Sequence, residues 1–252
     1  MCNQMIPYDE YGSREHPTVL LLHGAAALNT FCCQYCLSSK YHLIVPHLCG
    51  AGKLANRAYD PEWMKRELFV LIAGLHKEKI GIIGHSLGAQ LAVMLVCERP
   101  ERFCFAVFLS AWVNPTAKAI RRYCRFAGLA AGMLHCKWLV RLQGRYWRYT
   151  KAQADDMAAY AASITLQVYR SFFENTLDLK RLPTYAMLDL PMLAICGSGE
   201  VVDMKTSLAL LGENAHCRTL MLSQAGHDFP MRRAEALNPI LEAFIERFKA
   251  PS

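Results

Sequence analysis

Long apolar runs and targeting patterns are missing from this chain of 252 residues. No stretch approaches the roughly 18 uninterrupted apolar residues that a membrane-spanning helix needs. Residues 1–17 are polar and of mixed charge, so they lack the basic and then apolar pattern of a signal peptide. Internal repeats and low-complexity linkers are also missing. These absences exclude a transmembrane or repeat protein and predict a cytoplasmic globular one.

Paired metal-binding motifs are missing too, although the chain has 11 cysteines. The segment Cys33-Gln34-Tyr35-Cys36 is a CxxC motif, but no second CxxC and no spaced histidine pair accompanies it. The cysteines are scattered from Cys2 to Cys217, mostly within apolar runs, and their number is odd. This usage favours reduced core thiols over disulfides, and it predicts no metal site.

Strand-like patterns are missing from one central segment, from Asn114 to about Leu182, which has helical periodicity instead. Between Val113 and Tyr185 there are 12 lysines and arginines but only 4 carboxylates, so the whole excess of the +7 net charge lies there. This excess is interpreted either as a solvated helical surface or as a basic cover that attracts anionic substrates. Nucleic-acid binding is not favoured, because no binding motif accompanies the charge.

The same segment interleaves aromatic and basic residues. Trp138, Tyr146, Trp147 and Tyr149 alternate with arginines, a mixture that suits adsorption at a lipid surface. Such aromatic residues more often pack a helical segment onto the rest of the protein, and packing is the interpretation that we predict.

Outside this segment, short apolar runs alternate with helical patterns, which implies a mostly parallel sheet covered on both faces. The central helices follow the run that ends at Leu109, so they are expected to lie over the carboxyl ends of the strands, where such sheets bind ligands. The predicted strands are Thr18–Leu22, Tyr41–Pro46, Lys79–Ile83, Phe105–Leu109, Pro191–Cys196 and Arg218–Leu222.

The most informative motif is Gly84-His85-Ser86-Leu87-Gly88, between a β-branched run and an apolar helical pattern. Glycines on both sides of a serine permit the tight strand-to-helix turn called a nucleophile elbow. A serine hydroxyl needs an adjacent base, usually a histidine held by a carboxylate. Ser86 is therefore the predicted nucleophile.

The predicted base is His227, which follows Gly226 in the loop after the last predicted strand. Its carboxylate partner is expected in the loop after the preceding strand, which offers both Glu200 and Asp203. Glu200 lies immediately beyond the strand end and is preferred, since Asp203 has an ordinary explanation in helix capping. The chain order is then serine, acid, histidine, which is the order found in α/β sheets with a nucleophile elbow.

Two backbone amides are predicted to hold an oxyanion, those of Ala25 and Leu87. Leu87 follows the nucleophile at the start of a helix, and Ala25 follows His23-Gly24 at the end of the first predicted strand. His23 and His85 flank these motifs, where a histidine usually supports a loop or lines a pocket.

These motifs together resemble the α/β-hydrolase superfamily over essentially the whole chain. The single His23-Gly24 is similar to the cap-bearing branch of small esterases, thioesterases and carbon–carbon bond hydrolases. The resemblance implies a mostly parallel, doubly wound α/β sheet, with a helical cap inserted after the sixth strand. It divides the chain into a core of residues 1–113 and 183–252 and a cap of residues 114–182. The chain departs from the family at Glu200 and at His47, where aspartate is common.

The predicted function is a cofactor-independent serine hydrolase that acts on a small to medium ester or thioester. Ser86, His227 and Glu200 would form its catalytic triad, and the substrate would be a small molecule, with an anionic one considered. Two alternatives remain: carbon–carbon bond hydrolysis or lyase chemistry with the same residues, and a non-catalytic ligand-binding protein of this fold. No nucleic-acid partner and no stable membrane insertion are expected.

Overall fold

The computed structural model describes residues 5–250, and at residues 129 and 130 the backbone alone. The described strands are β1 Tyr8–Tyr11, β2 Thr18–Leu22, β3 His42–Pro46, β4 Ile80–His85, β5 Phe103–Leu109, β6 Met192–Gly197 and β7 Cys217–Leu222. The described α-helices are α1 Pro61–Gly74, α2 Leu87–Glu98, α3 Ala117–Leu134, α4 Lys137–Tyr146, α5 Lys151–Ala161, α6 Leu166–Glu174, α7 Val202–Leu211, α8 Phe229–Arg232 and α9 Ala234–Phe248.

The strands form one sheet in the order β1-β3-β2-β4-β5-β6-β7. Only β1 is antiparallel among the described strands, with Tyr8 opposite Pro46 of β3. Every residue of β2, β3, β4 and β6 is buried, as expected for strands covered by helices on both faces. The predicted mostly parallel α/β sheet is confirmed. The edge strand β1 was not among the strands that the apolar runs predicted.

The helices α3–α6 lie in residues 114–182, which we call the helical block. The block follows β5, the strand that ends at Leu109, as the sequence predicts. In the described chain this strand is the fifth rather than the sixth, because a single antiparallel strand precedes Thr18. Hydrogen bonds join the block to the core: the Tyr59 amide, before α1, donates to Ser171 Oγ, and the Leu177 amide donates to Oε1 of Gln90 on α2.

The ten cysteines within residues 5–250 are free, and Cys2 lies outside the described residues. Within the same range, no helix is both long and apolar enough to cross a membrane.

Helix α2 runs directly behind the sheet, and all but three of its residues are buried. A helix that is apolar on nearly every side belongs in the interior, so its start is fixed against the sheet. The loops after β2, β4, β6 and β7 meet at one edge of the sheet, since the carboxyl ends of parallel strands lie together. This edge carries the predicted site residues.

Candidate active site

Ser86 lies on a sharp turn between β4 and α2, with φ 53° and ψ −114°. Only glycine fits at positions 84 and 88, two residues before and after Ser86. A Cβ on Gly84 would lie 2.3 Å from the Gly88 carbonyl oxygen, and a Cβ on Gly88 would lie 2.0 Å from that of Leu22. The strained serine conformation and the two close backbone approaches are those of a nucleophile elbow.

Ser86, His227 and Glu200 form one hydrogen-bonded line. The distance from His227 Nε2 to Ser86 Oγ is 3.0 Å, and that from His227 Nδ1 to Glu200 Oε2 is 2.7 Å. Because an ionised carboxylate can only accept, Nδ1 carries the proton and donates to Glu200. The other ring nitrogen is then free to accept the proton of the Ser86 hydroxyl. The structure therefore brings together all three residues of the predicted triad.

The carboxylate of Glu200 is held from several sides. Its side chain is 1% exposed, and Oε1 accepts hydrogen bonds from Ser110 Oγ at 2.6 Å and from the Gly197 amide at 2.8 Å. Burial by itself raises the pKa of Glu200, but the hydrogen bonds from His227, Ser110 and Gly197 outweigh it and hold that pKa below its usual range. The group is therefore anionic at neutral pH, as a partner for an imidazolium must be.

The alternative acid, Asp203, points elsewhere. Its Oδ2 accepts a hydrogen bond from Arg122 at 3.0 Å and another from the Tyr123 hydroxyl at 3.2 Å, both on α3 of the helical block. Of the two carboxylates that the sequence leaves open, the structure brings Glu200 to His227.

The two predicted oxyanion donors border the same cavity as Ser86. Leu87 is the first residue of α2, where backbone amides have no acceptor within the helix. Within residues 5–250, neither the Ala25 amide nor the Leu87 amide donates a hydrogen bond to another protein group. The Tyr160 hydroxyl braces the Ala25 loop by donating to Ala26 O at 3.2 Å and accepting from the Leu28 amide at 3.3 Å.

His23 and His85 serve as supports rather than as bases. His23 Nδ1 donates to Gly24 O, and its Nε2 accepts from the Leu48 amide. Burial lowers the pKa of His23 to about 4. His85 Nε2 donates to the carbonyl of His227 at 2.8 Å, and burial together with the nearby His227 ring lowers its pKa. Both rings stay neutral and fix the loops on either side of Ser86.

His47, where the family commonly has aspartate, lies outside this cavity. Its ring accepts a hydrogen bond from the Lys53 amide at 2.9 Å and so holds the loop after β3.

A cavity of about 620 Å³ opens above Ser86, between the strand ends and the helical block. Its wall on the block side is aromatic, and no lysine or arginine is among the described residues that line it. No group of three or more His, Cys, Asp or Glu side chains in residues 5–250 could hold a metal ion. The aromatic residues of the wall are Trp112, Tyr123, Trp147, Tyr169, Phe172 and Phe173.

Ser110 and most of this aromatic wall were not predicted from the sequence. Ser110 directly follows β5, the strand next to β6. Because the carboxyl ends of neighbouring parallel strands lie together, this position could have predicted that Ser110 lies near Glu200. Tyr123 lies on α3, and Tyr169, Phe172 and Phe173 lie on α6, while Trp147 directly follows α4 and Trp112 lies in the loop after β5. Helical periodicity does not tell which face of a helix meets the core. Ring packing joins two of these helices, since Tyr123 stacks on Phe173 at 5.5 Å between centroids.

The fold and the turn at Ser86 together define an α/β protein with a nucleophile elbow. The model of the Alpha/beta hydrolase family matches residues 19–240, and the chain belongs to this family. A curated relative, the magnesium-chelatase 30 kDa subunit of Rhodobacter capsulatus, is 32% identical over 94 residues, which are 35% of this chain and 33% of that protein. The chain spans less than half the length of the curated relatives it matches.

Solved structures share the fold over nearly the whole chain. One belongs to a study of carboxylesterases from Nitrososphaera gargenis, with a TM-score of 0.74, 16% identity and coverage of 96% of this chain and 94% of that one. Another is the meta-cleavage product hydrolase CumD of Pseudomonas fluorescens IP01, with a TM-score of 0.70, 20% identity and coverage of 95% and 93%. At such identities the likeness shows the fold.

Proposed function

We propose that this hydrolase cleaves a small to medium, uncharged carboxylic ester or thioester through an acyl-enzyme on Ser86. The observation that carries the proposal is the continuous line from Ser86 through His227 to a buried, anionic Glu200, at the base of an apolar cavity. A serine activated in this way attacks acyl carbon atoms, and no bound cofactor takes part in that chemistry.

In the first half of the reaction, Ser86 Oγ attacks the acyl carbon while His227 Nε2 takes the hydroxyl proton. His227 then delivers this proton to the leaving alcohol or thiol, and the acyl group stays on Ser86. In the second half, water attacks the acyl-enzyme, with His227 again accepting the proton and returning it to Ser86. Glu200 stabilises the imidazolium that forms in each half.

The amides of Ala25 and Leu87 are proposed to stabilise the oxyanion. Both lack a protein acceptor within residues 5–250, and the amide of Leu87 also benefits from the positive end of α2. Loss of one such donor typically costs about 3–4 kcal/mol in the barrier.

The cavity lining supports an uncharged, largely apolar acyl or leaving group. Its block side is formed by aromatic rings, which favour apolar and aromatic groups. The basic residues of the block that lie on α4 are exposed and point away from this cavity. We propose that the block acts as a cap of residues 114–182 on a core of residues 1–113 and 183–252. Selection of anionic substrates by this cap is a prediction that the cavity lining does not favour.

The test is covalent labelling combined with turnover. A fluorophosphonate should label the protein once, and Ser86→Ala should remove both labelling and hydrolysis of p-nitrophenyl butyrate while leaving the melting temperature unchanged. Ser163→Ala, which changes an exposed serine of the block, is the matched control and should behave as the parent. An active Ser86→Ala protein would contradict the proposal, and so would a parent that neither labels nor hydrolyses any activated ester, as a non-catalytic binding protein would.

Carbon–carbon bond cleavage is the second candidate, because the same amides can hold an enolate and one structural neighbour is described as a meta-cleavage product hydrolase. Product analysis on matched panels of esters and diketones separates the two reactions. Faster turnover of a diketone than of every ester would favour the second candidate.

A further inference from the structure

Helix α4 presents an apolar stripe to solvent. Trp138, Leu142 and Tyr146 are four residues apart, so they lie on one side of the helix, and they are 67%, 54% and 53% exposed. The interpretation that the aromatic residues of this segment pack inward is therefore wrong for Trp138 and Tyr146. It holds for the buried Tyr149 and for Trp147, which lines the active-site cavity.

A cationic stripe runs beside the apolar one. Lys137, Arg141 and Arg145 are also four residues apart and all are exposed. The chain has no carboxylate between Glu101 and Asp155, so α3 and α4 carry no acidic residue. The side of α4 that faces solvent is therefore both apolar and uniformly cationic, which is the pattern of helices that lie at a membrane surface.

A second cavity, of about 320 Å³, lies at the cationic stripe. It is lined by Arg141, Arg145 and Lys151 together with Ala154 and Asp155. Arg141 pairs with Asp155 at 2.5 Å. No ion pair is found for Arg145 or Lys151 within residues 5–250, which leaves two cations available to an anion in this cavity.

Two neighbouring contacts lie at the edge of the solvent-facing side of α4 and leave most of it exposed. Arg148 pairs with Glu235 at 3.6 Å, and the Arg232 guanidinium lies 4.3 Å from the centre of the Tyr146 ring. Tyr146 remains half exposed in spite of this contact. The opposite side of α4 is occupied, because Gln143 and, directly after the helix, Trp147 line the active-site cavity.

From this arrangement we infer that α4 binds the surface of an anionic phospholipid membrane. Trp138, Leu142 and Tyr146 enter the interfacial layer, while Arg145 and Lys151 hold a lipid phosphate in the adjacent cavity. Charge complementarity favours this partner over a second copy of the chain, since two such faces would meet without a carboxylate on either helix. The inner side of the same helix would then place the mouth of the active-site cavity near the lipid.

The test is sedimentation of the full chain with sucrose-loaded vesicles of phosphatidylglycerol and phosphatidylcholine, or of phosphatidylcholine alone. The parent should bind the anionic vesicles at least tenfold more tightly, and this preference should shrink in 0.5 M salt. Arg145→Gln with Lys151→Gln should weaken binding to anionic vesicles by about fivefold for each cation removed. Trp138→Ser with Leu142→Ser should weaken binding to both kinds of vesicle.

Matched controls change the same chemistry elsewhere on the surface. Met187→Ser removes an apolar side chain that is 75% exposed, and Arg66→Gln with Arg218→Gln removes two exposed cations. Both controls should bind as the parent does. Soluble-ester turnover should be unchanged in every variant, so a loss of vesicle binding is distinguishable from a loss of catalysis.

Three results would overturn the inference: no binding to either vesicle, equal binding to both, or equal losses in the controls. A dimer in sedimentation velocity that Trp138→Ser with Leu142→Ser disrupts, without vesicle binding, would identify the face as a protein contact instead.

Discussion

The strand ends and the helical block build the two sides of one cavity by different means. On the sheet side, Glu200 is held by three short hydrogen bonds, from the end of β6 and from the loops after β5 and β7, and it is almost wholly buried. On the block side, rings pack against rings: Tyr123 of α3 stacks on Phe173 of α6, and Trp112, from the loop after β5, packs on Tyr123 at 4.9 Å between ring centroids. Hydrogen bonds fix direction, whereas ring packing fixes mainly volume.

Because of this difference, we expect the strand ends to determine the rate of bond cleavage and the aromatic wall to determine which substrates bind. A substitution at the strand ends should damage turnover of every substrate, because the geometry of proton transfer changes. A substitution in the aromatic wall should change which substrates are turned over, because only the fit of the acyl or leaving group changes.

Glu200→Gln should produce the largest effect, a loss of about 10⁴-fold in kcat, since an amide no longer fixes the tautomer of His227 or stabilises its charged form. Asp203→Asn is the matched control on the same loop and should stay within about twofold of the parent. Steady-state kinetics with one activated ester measure both. Similar losses in the two variants would mean that the block, through Arg122, takes part in the chemistry.

Phe173→Ala should reduce kcat/KM for esters with a large apolar acyl group by about 10- to 100-fold, because the acyl group loses the apolar contact with this half-buried ring. Acetate esters should be affected much less, because a small acyl group does not reach the wall. Phe126→Ala, which removes a ring that is 58% exposed on α3, is the control. Equal losses of kcat/KM on acetate and on long-chain esters would show that the aromatic wall does not act on substrate selection alone.

The sequence was sufficient to predict that Ser86 and His227 lie together, because each has a local motif directly after a strand. Parallel strands then bring the ends of these motifs to one sheet edge without any further information. The choice between Glu200 and Asp203 needed tertiary structure. Asp203 is bound by Arg122, which is 81 residues away in the chain and on a helix of the block.

The block was predictable as helices but not in its orientation. A period of 3.6 residues shows which side chains share a face, and α4 has apolar residues on two of its sides. Trp138 and Trp147 are equally apolar, yet one faces solvent and the other the cavity. Their difference is set by the packing of α4 against α5 around Val140 and Gly144.

Acid should weaken the core more than the block. His23 is buried and neutral, with its pKa lowered to about 4 against about 6.5 in an unfolded chain. Between these values the unfolded state binds the extra proton, so stability is full above about pH 6.5 and falls as the pH drops towards 4. The loss at pH 5 should be about 2 kcal/mol for this group.

Urea denaturation between pH 5 and 7.5 measures that loss. His23→Gln should be less stable at pH 7 but should depend less steeply on pH. His135→Gln, at an exposed histidine of the block, is the matched control. A parent protein with no pH dependence in this range would show that His23 is protonated without cost.

The smallest effect is expected at the contact between the helical block and the loop after β2. The Tyr160 hydroxyl on α5 makes two hydrogen bonds from the block to the loop that carries Ala25. Tyr160→Phe keeps the ring and removes this link, so it should lower kcat by about fivefold, which corresponds to roughly 1 kcal/mol for one hydrogen bond. Tyr169→Phe, which changes a hydroxyl in the aromatic wall, is the matched control and should leave kcat for an acetate ester unchanged. If Tyr160→Phe changes KM alone, the block influences substrate binding without positioning the Ala25 amide. In that case the block selects substrates only, and the strand ends alone carry out bond cleavage, in spite of the two hydrogen bonds of Tyr160.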